Sequence, residues 1–199
     1  MDGFHRRGRS VLGPVVKFLA ARGVTPATLT VGGLLICLVA AWLAWRGLYW
    51  QAGLVMTVGS LFDALDGGIA RLTGKASKAG AALDSSLDRV SESALFIAFL
   101  AGRAGSEHVT ILYAAPLAMA GSFMVSYVRA RAEGLGIECG VGVFTRTERL
   151  VALITALFVA GWVGSQAIVV GCLLVAVGAW ITAFQRLVRV LRAGSGLPL

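Results

Sequence analysis

Apolar residues run along this chain in six blocks, at 29–49, 52–72, 80–102, 109–131, 147–163 and 166–188. Each is close to the roughly 20 residues that a helix needs to cross a bilayer, so the pattern predicts six membrane-spanning helices. The fourth and sixth blocks are the cleanest. The second and third carry polar residues and read as spans only if those residues face the bundle interior. Pairs of small residues at helical spacing, such as Ala114 with Ala118 and Gly161 with Ser165, permit close helix contact. Ahead of the first block, Val11, Val15, Val16, Phe18 and Leu19 predict an amphipathic helix lying in the cytosolic interface. Pro14 and Lys17 interrupt that apolar run, so it does not read as a cleavable signal. The expected organisation is an N-terminal cytosolic segment over 1–28, one membrane domain over 29–190 and a flexible tail over 191–199.

Composition supports this picture, with 57% hydrophobic and 14% charged residues and a mean hydropathy of +0.82. A soluble domain has too little interior to cover that much apolar surface. Charge then gives orientation. Arg6, Arg7, Arg9, Lys17 and Arg22 precede the first block; Arg71, Lys75 and Lys78 follow the second; Arg129, Arg131, Arg146 and Arg149 separate the fourth and fifth; Arg186, Arg189 and Arg192 end the sixth. These fifteen of the eighteen basic residues fall on one side. Lys and Arg near span ends stay cytoplasmic, so both termini are predicted in the cytosol, in the inner (cytoplasmic) membrane of the cell. The net charge of +8 is thereby tied to span ends, which excludes nucleic-acid binding as its purpose. Cys37 and Cys172 fall within predicted spans and Cys139 in a cytosolic loop, so no disulfide framework is expected.

The polar residues of the second and third blocks carry the chemistry. Asp63, Asp66, Asp84 and Asp88, four of ten acidic residues, lie within 26 positions. A carboxylate at membrane depth costs roughly 2.5 to 3.5 kcal/mol even on a lenient scale, so four together need compensation. At spacings of three and four, Asp63, Asp66, Gly67, Ala70 and Arg71 share one helix stripe, and Gly80, Asp84 and Asp88 share another. The short basic loop over 72–79 makes the two helices antiparallel and brings both stripes together near the cytosolic side. Hard divalent cations held by oxygen ligands, with open positions for phosphate, resolve the repulsion, and no His or Cys favours zinc, haem or iron–sulfur. Buried ion pairs with Arg71 and Arg89, or an ion pathway, are the other readings of these carboxylates. Against a pathway, no acidic residue continues the line through the later spans.

The spacing Asp63-x2-Asp66-Gly67-x2-Ala70-Arg71-x8-Gly80-x3-Asp84-x3-Asp88 resembles, position by position, the signature of the CDP-alcohol phosphotransferase family. The resemblance implies an all-α, integral membrane fold of six transmembrane helices preceded by an N-terminal amphipathic interfacial helix. It implies transfer of a substituted phosphate from a CDP-linked lipid to an alcohol, with release of CMP. It further implies two Mg²⁺ ions, replaceable by Mn²⁺, on Asp63, Asp66, Asp84 and Asp88, with Asp88 also the general base. By the same resemblance Thr28, Leu29, Thr30, Val31, Gly67, Arg71 and Ser77 contact the donor nucleotide, and the protein is a homodimer.

The acceptor is addressed by arginines. Arg129 ends the fourth block, Arg146 and Arg149 open the fifth, and Arg186 and Arg189 share a face at the end of the sixth. Guanidinium forks from three helices suit a phosphate monoester, although ordinary flanking of spans also places arginines there. The segments 126–134 and 146–150 resemble the phosphatidylinositol phosphate synthases. That likeness implies inositol phosphate as acceptor, bound by Arg129, Arg149 and Arg189 with Arg146 nearby, and a diacyl or ether-lipid donor. Glycerol 3-phosphate, as in phosphatidylglycerophosphate synthases, is the alternative.

Overall fold

The computed structural model describes residues 21–74 and 77–194, together with Pro14, Phe18 and Leu19. Most of the expected interfacial helix lies outside the described residues. The described residues form helices and connections, with no strand. In chain order the helices are α1 (Pro26–Trp45), α2 (Tyr49–Leu72), α3 (Lys78–Ala101), a short α4 (Arg103–Glu107), α5 (Ile111–Gly134), α6 (Arg146–Val163) and α7 (Gln166–Gly194).

Local chemistry sets their ends. Thr25 caps α1 by accepting the Thr28 N–H at 3.2 Å, with Pro26 in the first turn where its missing N–H costs nothing. Gly47, at φ 78°, turns the chain into α2, so the first helix stops at Trp45 and not at the predicted 49. Ser77 caps α3 through the Gly80 N–H at 3.0 Å. Thr145 and Glu148 form a reciprocal capping box at the start of α6. At the C-terminus, α7 runs on to Gly194, so residues 191–194, assigned to the tail by the sequence, are helical. Residues 195–199 lie outside the described residues.

The six long helices close into a ring in which α1 packs on α2, α2 on α6, α6 on α7, α7 on α5, α5 on α3, and α3 on α1. Despite their short connection, α2 and α3 are not packed along their lengths. Helix α1 lies against both, and the two acidic stripes face each other across the space this leaves. Glycine allows the α1–α2 approach: a Cβ on Gly59 would stand 2.7 Å from Cys37 Sγ. Below the acidic end the interior is apolar, built from Ala40, Ala44, Leu95, Phe96, Phe99, Ile111, Leu153, Leu157, Ile168 and Val175. The outside of the ring is apolar as well, with Leu35, Trp42, Leu117, Trp162, Val177 and Phe184 exposed.

Among the described residues four helices are long and apolar enough to cross a membrane: α1, α2 over Tyr49–Ala70, α5 and α7. The six predicted apolar blocks are all helical, but α3 and α6 fall short of that criterion. Helix α3 carries Lys78, Asp84, Asp88, Arg89 and Glu92, and the 18-residue α6 opens with Arg146, Glu148 and Arg149. The polar residues that place these two helices beside the site are the ones that lower their hydropathy.

Candidate active site

Antiparallel succession puts the N-terminal turns of α1, α3 and α6 and the C-terminal turns of α2, α5 and α7 at one end of the ring. Asp63 and Asp66 stand one turn apart on α2, and Asp84 and Asp88 one turn apart on α3. Ligand oxygens of Asp63, Asp66 and Asp84 all lie within 4.8 Å of one another. Asp66 is buried, and its Oδ2 accepts the Thr30 hydroxyl of α1 at 2.7 Å. Asp84 Oδ1 is buried without a hydrogen-bond partner. An all-carboxylate donor set with an orphaned buried oxygen fits a hard divalent cation, which supplies the missing positive charge.

The fourth aspartate is placed differently. Asp88 lies outside the group of three and accepts a hydrogen bond from Arg146 Nη2, while Arg146 Nη1 donates to Asp63 Oδ2 at 2.7 Å. Arg89 Nη1 stands 3.6 Å from the other Asp88 oxygen. Arg146, from the first turn of α6, therefore links the acidic stripes of α2 and α3.

Two cavities meet at these carboxylates. The more open one is lined by Ala27, Thr30, Asp66, Gly67, Ser77, Gly80 and Asp84, where small residues leave the helix backbones approachable. The deeper one has Asp63, Asp88, Ser91, Glu92 and Arg146 at its polar end and Leu34, Cys37, Met56 and Leu153 below. Thr30 lines both.

Of the donor residues predicted from sequence, Thr30, Gly67 and Ser77 line the open cavity. Thr28 instead shares the α1 cap with Thr25, their hydroxyls 2.8 Å apart. Leu29 is buried against Leu65 and Ile69, and Val31 is exposed on the outer face. The side chain of Arg71 lies outside the described residues. The acceptor arginines separate. Arg129 pairs with Glu133 at 2.8 Å on an exposed face. Arg146 reaches the carboxylates. Arg149, 1% exposed, pairs with Glu92. Arg189 lines a separate groove with Arg192 and the segment 140–143, its Nε buried without a partner.

Sequence reasoning did not assign Glu92 or the partner of Arg186. Glu92 continues the Asp84, Asp88 spacing of four, a signal that was available. Arg186 is buried and donates to the Val141 carbonyl at 2.8 Å and the Val125 carbonyl at 2.7 Å. Thr182, one turn earlier, accepts the Phe144 N–H at 2.9 Å. Together they fasten the 135–145 connection, and with it the start of α6, onto α7.

Comparison with known proteins gives a consistent result. The sequence profile described as CDP-alcohol phosphatidyltransferase matches residues 23–188. The chain is 40% identical over 172 residues to the archaetidylinositol phosphate synthase of Pyrococcus horikoshii, covering 85% of each chain. It is 37% identical to the phosphatidylinositol phosphate synthase of Streptomyces avermitilis, over 92% of this chain and 78% of that one. The crystal structure of the Mycobacterium tuberculosis phosphatidylinositol phosphate synthase with CDP-DAG bound superposes with a TM-score of 0.79 at 32% identity, covering 89% of this chain and 92% of that one. The same mycobacterial protein has been crystallised with manganese and citrate.

Proposed function

Since the chain belongs to the CDP-alcohol phosphatidyltransferase family, we propose that it transfers the phosphatidyl group of CDP-diacylglycerol, or of an ether-lipid analogue, to inositol phosphate. The observation that carries this reading is the meeting of the Asp63, Asp66 and Asp84 oxygens with the Arg146 guanidinium at the junction of two cavities. The relatives' names supply the acceptor, and the mycobacterial complex supplies the donor.

The open cavity takes the cytidine diphosphate headgroup, with Gly67 and Gly80 leaving room for it and Ser77 and Thr30 offering hydroxyls. Asp63, Asp66 and Asp84 hold divalent metal, joined by Asp88 once Arg146 turns toward an anionic acceptor. Bound there, divalent cations neutralise the pyrophosphate and the departing CMP oxygen. Asp88 accepts the proton of the acceptor hydroxyl as its oxygen bonds to the lipid-side phosphorus. The bond from that phosphorus to the bridging oxygen breaks, and its electron pair leaves with CMP. Arg146 supplies cationic donors for the acceptor's phosphate, which glycerol 3-phosphate also presents.

In this reading all six long helices span the cytoplasmic membrane, with an N-terminal interfacial helix and with both termini and the site on the cytosolic side. The distribution of arginines supports that orientation, and the family resemblance supports a homodimer. The deciding experiment is metal-dependent CMP release by purified protein from CDP-diacylglycerol with inositol phosphate, glycerol 3-phosphate, serine and inositol in parallel. Release with inositol phosphate alone is expected. Release with glycerol 3-phosphate in its place overturns the acceptor and leaves the donor chemistry.

A further inference from the structure

Three carboxylates, Asp63, Asp88 and Glu92, and one cation, Arg146, stand in the wall of the inner cavity. Asp63 belongs to the group that can hold metal, and Asp88 is the general base of the proposed reaction. Glu92 has neither task. It follows Asp88 by one turn on α3 and lines the same space. Its partner Arg149 does not line that cavity, and the Arg149 side chain is 1% exposed against 19% for Glu92. The member of this pair that can meet a ligand is therefore the carboxylate.

Arg149 donates from Nε to Glu92 Oε1 at 2.8 Å and from Nη2 to Oε2 at 3.2 Å. A carboxylate offers about four lone-pair positions, so this two-point contact uses one on each oxygen and leaves one on each. The contact also balances the charge of a half-buried carboxylate and fixes its plane. A carboxylate held in this way accepts hydrogen bonds and repels a phosphate. Glu92 thus suits the uncharged, hydroxyl-bearing part of an acceptor, while Arg146 suits the anionic part.

Spacing then selects the kind of acceptor. Residues four apart on a helix have Cβ atoms about 5 to 6 Å apart. With the reacting hydroxyl at Asp88, the adjacent hydroxyl of a short chain lies nearer than that, whereas hydroxyls farther round a six-membered ring reach across it. Glycerol 3-phosphate has a single further hydroxyl, next to the reacting one, and a ring polyol has several. We propose that Glu92 is a specificity-determining residue: its carboxylate accepts hydrogen bonds from ring hydroxyls of a polyol acceptor, and Arg149 is the buried counter-ion that orients it. This rests on the reading of the inner cavity as the acceptor side.

The test measures CMP release in detergent from CDP-diacylglycerol and Mn²⁺, with inositol phosphate and with analogues that each lack one ring hydroxyl. A lost hydrogen bond to a charged group corresponds to roughly 10- to 100-fold, so one or two of these deletions should lower the parent's kcat/KM by that factor. The double variant Glu92→Leu/Arg149→Leu removes the pair without stranding a buried charge. It should use inositol phosphate poorly and treat the same analogues alike, to within about threefold. Glu92→Gln, which keeps an uncharged acceptor atom, should discriminate less than the parent, and it carries the comparison if the double variant does not fold. A structural role lowers activity toward every analogue by the same factor. Discrimination equal to the parent's in these variants therefore overturns the proposal, as does a parent indifferent to every ring hydroxyl. If the parent uses free inositol in place of its phosphate, the same comparison is made with deoxyinositols. Use of inositol phosphate with unchanged discrimination in the variants removes Glu92 alone, and use of only glycerol 3-phosphate or serine removes the acceptor reading and the proposal with it.

Discussion

Arg146 and Asp63 sit 83 residues apart in the chain and are joined by a 2.7 Å hydrogen bond from Nη1 to Oδ2, while the same guanidinium reaches Asp88 on a third helix. One cation thereby engages two of the four aspartates of the signature. A guanidinium against a carboxylate that would also ligate metal opposes a dication at the same oxygen, by about 8 kcal/mol at 4 Å and an effective dielectric near 20, twice the figure for two unit charges. Removing it should therefore tighten metal binding while it weakens use of an anionic acceptor. Arg146→Gln is expected to bind Mn²⁺ about tenfold more tightly or better in an EPR titration and to lose most CMP release. Weaker Mn²⁺ binding in this variant would mean that Arg146 organises the carboxylates instead of competing for them.

Thr30 makes the corresponding contact from α1. Its hydroxyl donates to Asp66 Oδ2 at 2.7 Å and lies 3.0 Å from the Pro26 carbonyl, which also accepts it, so the carboxylate is aimed by a hydroxyl fixed to the first turn of the helix. A hydrogen bond to a charged group contributes roughly 1.5 to 3 kcal/mol. Thr30→Val keeps the shape and removes the donor, and should cost about 10- to 100-fold in kcat/KM for CDP-diacylglycerol, with Tm little changed. Thr30→Ser should recover most of it. Steady-state kinetics at saturating inositol phosphate make the comparison.

Much of this site was legible in the sequence because helix periodicity is local. Spacings of three and four put Asp63 with Asp66 and Asp84 with Asp88 on single stripes, and the apolar blocks located every long helix to within a few residues. What escaped was pairing across the bundle. The loop over 72–79 brings the acidic stripes of α2 and α3 together as expected, but it does not say that α1 packs against both helices and keeps them apart along their lengths. Nothing in the period of a helix encodes the order of helices around a ring. For the same reason four arginines that looked equivalent as span-end cations went to four environments: Glu133 on the surface for Arg129, the aspartates for Arg146, Glu92 for Arg149 and a separate groove for Arg189. The short α4 was also missed, since five residues give no period to read.

Arg186 shows how a cation at a span end can be structural. It is buried, and of its two carbonyl partners Val125 is buried in α5, while Val141 lies on the exposed connection to α6. Truncation leaves the buried Val125 carbonyl without this donor, at about 1 to 3 kcal/mol. Arg186→Met should lower stability by roughly 1 to 3 kcal/mol on that account, seen as a reduced Tm in detergent. Lysine has no planar fork to reach two carbonyls, so Arg186→Lys should rescue little. A Tm equal to the parent's in Arg186→Met would show that the connection is held by Thr182 alone.

The opposite end of the ring carries a polar cluster whose effect depends on pH. Glu107 on α4 accepts from the Ser165 hydroxyl and, at 2.6 Å, from Arg103 Nε, and Ser165 Oγ stands 3.0 Å from His108 Nε2. The Ser165 hydrogen bond first, and then Arg103, hold the Glu107 carboxyl below its ordinary value of 4.5. A carboxylate whose pKa is lower folded than unfolded binds fewer protons in the folded state. Its stabilisation is complete above the unfolded value and is lost as pH falls through the folded one. The parent's Tm should therefore drop as pH is lowered below about 4.5, the ordinary carboxylate range, while the Glu107 contribution is complete and unchanging between pH 6 and 8. Glu107→Gln cannot titrate, so its Tm should begin lower at neutral pH and fall less steeply on acidification. Parallel Tm curves for parent and variant across that window would show that Glu107 is not held by its partners in solution, and that α4 is tied to the start of α7 by packing alone.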